Sequence, residues 1–129
     1  ARLIDVIDRE LVEAGCIPLH WYDVLIELKE APQRRLRMSE LAHKVVLSKS
    51  GLTRLVDKLE EARLLQRQSA SEDGRGAFAV LTDEGYAALR QAWPIYAHGI
   101  QQHVAQYLNE EEANLMSAAL TRMMDAVQE

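Results

Sequence analysis

Two stretches of this chain hold side chains suited to a polyanion. In Ser48-Lys49-Ser50-Gly51-Leu52-Thr53-Arg54, hydroxyls and cations interleave with apolar residues. A helix from Ser48 to Ala62 puts Ser48, Lys49, Ser50, Thr53 and Arg54 on its outward N-terminal face. Short and long donors mixed in this way suit the base edges of a major groove and the phosphates beside it. Lys58, a turn further on, faces phosphate or solvent. The second stretch is the tip Ser71-Glu72-Asp73-Gly74-Arg75-Gly76. An arginine there suits the negative potential of a minor groove, and Asp73 is placed to orient the Arg75 guanidinium. An ordinary polar turn is the alternative reading of the same Asp-Gly pair.

Other chemistry is thinner. His20, Trp21 and Tyr22 form an aromatic run with an imidazole, which could line an effector pocket or simply pack in a core. Cys16 is the single cysteine. It reads as a small buried hydrophobe between Gly15 and Ile17, with redox sensing as the alternative. The four histidines, His20, His43, His98 and His103, include no pair four residues apart, so no helical metal site is expected. No nucleophile–base arrangement, glycine-rich phosphate loop or paired-carboxylate signature stands out. Neither catalytic residues nor a cofactor is expected.

Elements must position these groups. Leu3, Ile4, Ile7, Leu11 and Ala14 trace a first helix ended by Gly15, and Leu19 to Lys29 a second, ended before Pro32. Gln33 to Arg37 reads as a basic connector. Ser39 and Ser48 are expected to cap two short helices, and Ala42 is the small residue where they cross. Leu41, Val45, Leu47, Leu52 and Leu55 are the expected locking residues, while Val46 is an unusual choice for the tight turn. Leu64 to Ala70 and Ala77 to Leu81 read as a hairpin. Thr82 caps a long helix containing Pro94, followed by a last helix that opens on Asn109 and Glu112. The expected fold is mainly α with a small β-hairpin wing. It comprises N-terminal helices (1–32), a winged helix-turn-helix (33–81) and C-terminal helices (82–129).

Charge follows the same division. The 129 residues carry a net charge of −5, yet the span from Gln33 to Phe78 has ten basic and six acidic residues, a local +4. The flanks together carry −9. A polyanion is attracted to the middle and repelled by the ends, which favours one docking orientation. An apolar fraction of 48% excludes global disorder, and one cysteine excludes an intrachain disulfide. No apolar run is long enough to span a bilayer and no secretory leader opens the chain. A cytoplasmic protein without membrane contact is expected.

Met38-Ser39-Glu40-Leu41-Ala42, the run Leu47-Ser48-Lys49-Ser50-Gly51-Leu52-Thr53-Arg54-Leu55-Val56-Asp57-Lys58-Leu59, and Asp73-Gly74-Arg75 followed by Leu81-Thr82-Asp83-Glu84-Gly85 together resemble the MarR family. The resemblance covers nearly the whole chain. It implies a homodimeric, ligand- or stress-responsive transcriptional regulator, most often a repressor. Such a protein binds double-stranded DNA at a pseudo-palindromic operator, and its terminal helices form the dimer. It places Ser48, Lys49, Ser50, Thr53 and Arg54 on the recognition helix and Asp73 and Arg75 on the wing. It also implies a small aromatic or anionic effector, and in some relatives an N-terminal cysteine that senses peroxide, the position of Cys16. Two readings of other classes stay open: a winged-helix module binding protein through its acidic terminal helices, and an enzyme or carrier built around Trp21 and Tyr22.

Overall fold

The structure is a computed structural model that describes residues 2–45, 47–69 and 76–128. Its elements run α1 (Arg2–Glu13), α2 (Leu19–Glu30), β1 (Arg35–Arg37), α3 (Met38–Val45), α4 (Lys49–Glu61), β2 (Leu65–Ser69), β3 (Ala77–Leu81), α5 (Asp83–Val104) and α6 (Glu110–Gln128), with 3-10 turns at Pro32–Arg34 and Ala105–Tyr107. This is the expected mainly α fold with a small antiparallel sheet. Two compact units emerge, residues 20–89 and residues 1–19 with 90–129. No helix among the described residues is long and apolar enough to cross a membrane.

In the unit of residues 20–89, the sheet order is β1-β3-β2, antiparallel throughout. β1 lies within the segment expected to be a connector. Its register pairs Arg35 with Val80, Leu36 with Ala79 and Arg37 with Phe78. The strand forms because Leu36 alone turns inward, buried between two arginines on the opposite face. One sheet face therefore holds Leu36, Leu65, Ala79 and Leu81, all buried. The other face holds Arg35, Arg37, Phe78, Val80, Gln66 and Gln68. Helix α3 meets β1 and β3, and α4 meets β2, so the apolar sheet face is covered by Leu41, Leu52, Val56 and Leu59. Each fully buried leucine there contributes roughly 1.5–3 kcal/mol.

Caps set the element boundaries. α3 is not capped by Ser39, which lies within its first turn. Glu40 reaches back instead, its Oε1 accepting from Arg37 N at 3.1 Å, half of a capping box. At the start of α5, Thr82 Oγ1 accepts from Gly85 N at 3.0 Å and donates to the Arg63 carbonyl at 2.7 Å. The helix start is thereby pinned to the turn after α4. Gly85 is required at this contact, because a Cβ there would stand 2.1 Å from the Leu64 carbonyl oxygen.

In the other unit, Ile7 and Leu11 of α1 and Ala92, Trp93 and Ala97 of α5 are buried. Trp93 and Tyr96 stack with centroids 5.7 Å apart. His103 Nε2 lies 2.6 Å from Glu10 Oε1, joining α5 to α1. α6 opens on the expected capping box: Asn109 Oδ1 accepts from Glu112 N at 2.8 Å, and Glu112 Oε1 from Asn109 N at 3.1 Å. Helical periodicity groups residues by face, but not every apolar residue is covered. Ile4, Tyr107, Leu115 and Met123 are all more than half exposed.

Candidate nucleic-acid interface

Four residues fix the rotational phase of α4: Leu52, Leu55, Val56 and Leu59 are buried. Everything expected to face outward does so. Ser48, Lys49, Ser50, Thr53, Arg54 and Lys58 are all exposed. Ser48 is the N-cap, its Oγ accepting from Gly51 N at 3.0 Å and lying 3.3 Å from Ser50 Oγ. Thr53 Oγ1 donates to Lys49 O at 2.8 Å, which leaves the hydroxyl oxygen free to accept. Gly51 has a local explanation, since a Cβ there would press on Ser48 Oγ at 3.0 Å.

The acids of α4 are occupied from the sheet. Arg67 of β2 pairs through Nη2 with Asp57 Oδ1, sets Nε 3.4 Å from Glu60 Oε1, and donates its backbone N–H to Glu60 Oε2 at 2.8 Å. Such a partly exposed network adds little stability. Its effect is electrostatic: it offsets two carboxylates on the helix that carries Lys49, Arg54 and Lys58. Residue spacing carries no signal for it, because the pairing depends on the β2 register.

β1 supplies two cations outside the helix and wing motifs. The Arg35 and Arg37 guanidiniums lie 4.5 and 5.1 Å from the centroid of the Phe78 ring. The sequence signal for this strand is a single leucine alternating with arginine at 35–37, too short to read as a strand. Between α3, α4 and β3 lies a cavity of about 280 Å³ whose lining includes Arg37, Ser39, Lys49, Thr53 and Gly76. Leu47, expected to lock the two helices, is instead 42% exposed in the turn between them.

Val46, Asp73 and Arg75 lie outside the described residues. His20, Trp21 and Tyr22 are described but diverge around α2, as consecutive residues of a helix must. His20 is exposed, Trp21 half-buried and Tyr22 in the core. The rings of His20 and Trp21 meet edge to face at 6.4 Å. One turn on, burial pushes the Asp23 carboxyl above its usual range, with His20 acting against the shift and Glu27 adding to it. Cys16 is half-buried, its Sγ 3.7 Å from the Gln91 carbonyl, and burial pushes its thiol up. Among the described residues, no group of three or more His, Cys, Asp or Glu is placed to hold a metal.

A model of the MarR family matches residues 17–76 of this chain. The chain is 31% identical over 86 residues to the HTH-type transcriptional regulator MhqR of Bacillus subtilis (strain 168), covering 67% of this chain and 59% of that protein. It is 32% identical over 91 residues to the HTH-type transcriptional repressor YetL of the same organism, covering 70% of this chain and 54% of that one. It thus spans less than two thirds of the length of both relatives. Among solved structures it is similar to Sco3205, a MarR family transcriptional regulator from Streptomyces coelicolor in complex with DNA. That match has a TM-score of 0.78 and 35% identity, and covers 98% of this chain and 79% of that one.

Proposed function

We propose, starting from the fact that this chain belongs to the MarR family of transcriptional regulators, that it binds a pseudo-palindromic operator as a homodimer and represses until an effector releases it. Members of this family are DNA-binding regulators and not enzymes. The observation that carries the reading is the phase of α4: its four apolar residues are buried while Ser48, Lys49, Ser50, Thr53, Arg54 and Lys58 face solvent. In this reading Arg54 and the short donors read bases, and Lys49 and Lys58 meet phosphates. In the same reading Asp73 and Arg75, which lie outside the described residues, serve the minor groove. The DNA complex of Sco3205 supports the partner, and the description of YetL as a repressor supports the sign of the response.

Dimerisation draws support from the uncovered apolar residues of the terminal unit, where Ile4, Val12, Tyr107, Leu115 and Met123 are each more than half exposed. Two recognition helices related by a two-fold axis would read half-sites about 10 bp apart. An effector at His20 and Trp21 would shift the population away from the DNA-binding state. Of the two expected ligand classes, the carboxylates of Asp23 and Glu27 favour an uncharged aromatic over an anion there. The raised Cys16 thiol favours a ligand over peroxide as the signal. A cytoplasmic site of action goes with this function.

The test is selection of duplexes from a randomised pool, followed by fluorescence titration. Arg54→Ala is expected to weaken the selected duplex by ~1–3 kcal/mol and a scrambled duplex much less. Equal, wild-type affinity of that variant for both duplexes overturns the assigned readout.

A further inference from the structure

We propose that Arg37 is a phosphate-seating residue, holding the DNA strand that passes between α4 and the β2–β3 hairpin. The inference rests on the DNA-binding function proposed for this chain. With α4 in a major groove and the hairpin directed to the adjoining minor groove, one phosphodiester strand separates the two grooves. On this proposal that strand runs along the rim of the cavity between α3, α4 and β3, at the edge where Arg37 joins its lining to the Phe78 face of the sheet. The cavity floor is apolar, with Met38, Ala42, Leu52 and Ala77, and the groups suited to a phosphate among its lining are two cations, Arg37 and Lys49, and two hydroxyls, Ser39 and Thr53.

Arg37 is prepared for the role in a way that Arg67 is not. Arg67 is committed to Asp57 and Glu60. Among the described residues, the Arg37 guanidinium meets no carboxylate at ion-pair distance, and Glu40 is engaged by its backbone N–H instead. The Phe78 ring holds the guanidinium plane without neutralising it, at 5.1 Å, and holds Arg35 at 4.5 Å from the same centroid. Two cations on one ring repel, and a phosphate placed beside them relieves that repulsion. Each such contact releases counterions whatever the base sequence.

The experiment measures affinity against salt for the full chain, using a duplex selected by the wild type and a scrambled one. Arg37→Gln is expected to lower the slope of log affinity against log salt by about 0.9, with the same fold-loss on both duplexes. Arg37→Lys, which keeps the charge, is expected to keep the slope. Matching circular-dichroism melts for both variants confirm that the fold is unaffected. An unchanged slope in Arg37→Gln, a loss confined to the selected duplex, or a slope lost equally in Arg37→Lys overturns the assignment of Arg37 alone. Failure of the wild type to bind either duplex overturns the DNA-binding reading beneath it as well.

Discussion

Gly15 and Arg63 hold the same position at the ends of two different helices. Gly15 follows α1 with φ +76°, and Arg63 follows α4 with φ +65°. In each case the next residue closes the helix with a long backbone hydrogen bond, Cys16 N to Leu11 O at 2.9 Å and Leu64 N to Leu59 O at 3.0 Å. Both are Schellman ends, in which a left-handed residue satisfies the last carbonyls. Glycine adopts that conformation without strain, whereas a residue with a Cβ costs roughly 1–2 kcal/mol. Arg63→Gly is therefore expected to stabilise the protein by about 0.5–1 kcal/mol once the looser unfolded chain is counted, and Gly15→Ala to destabilise it by about 1 kcal/mol. Urea unfolding of both variants checks the opposite signs. A loss of stability in Arg63→Gly would show that the side chain, and not the backbone, holds that turn.

The N-cap of α4 predicts a coupling. Ser48→Ala removes the acceptor for Gly51 N and is expected to cost about 1 kcal/mol. Gly51→Ala adds helix propensity of about 1 kcal/mol but presses its methyl on Ser48 Oγ. The gain should be small in the wild type and full in the Ser48→Ala background. A double-mutant cycle by urea unfolding measures the difference, and strictly additive effects would show that the Ser48 hydroxyl is not what requires glycine at position 51.

What the sequence makes legible divides by range. Ser48, Thr82 and the Asn109–Glu112 box act within three residues of themselves, so their types and spacing suffice. The outward face of α4 is legible for a related reason: Leu52, Leu55, Val56 and Leu59 fix the phase of the helix and leave the polar residues nowhere else to point. β1 is not legible, because Leu36 gains meaning only from Ala79, far along the chain. Arg37 and Arg67 share that blindness, one set by the β1 register and the other by the β2 register. Ser39 illustrates a different failure, where two neighbouring residues can each satisfy a helix start and Glu40 does so. Periodicity also shows that Leu120 and Met123 share a face of α6, but not that only Leu120 is buried within one chain.

That last contrast leads to a prediction on assembly. Leu115 is 67% exposed and Met123 52% exposed on a helix whose only buried large side chain among the described residues is Leu120. If a second copy covers them, Leu115→Glu with Met123→Glu buries charge in an apolar contact and shifts the protein toward monomer. Sedimentation velocity across a concentration series reads the shift, and duplex affinity should fall in parallel because one monomer carries only one recognition helix. A double variant that sediments like the wild type places the dimer contact elsewhere.

Cys16 yields a prediction on reactivity. The thiolate is the nucleophile, and burial holds this thiol above the ordinary range, so at neutral pH it stays protonated. Its Sγ approaches the Gln91 carbonyl, an acceptor that stabilises the thiol and not the thiolate. Iodoacetamide should modify Cys16 more slowly than free cysteine at pH 7, with the rate rising only at a pH above the midpoint of the free amino acid. Cys16→Ser should leave duplex affinity unchanged, with or without peroxide. Fast alkylation at neutral pH, or peroxide release of DNA that disappears in Cys16→Ser, would return the signal to the thiol and displace the aromatic effector.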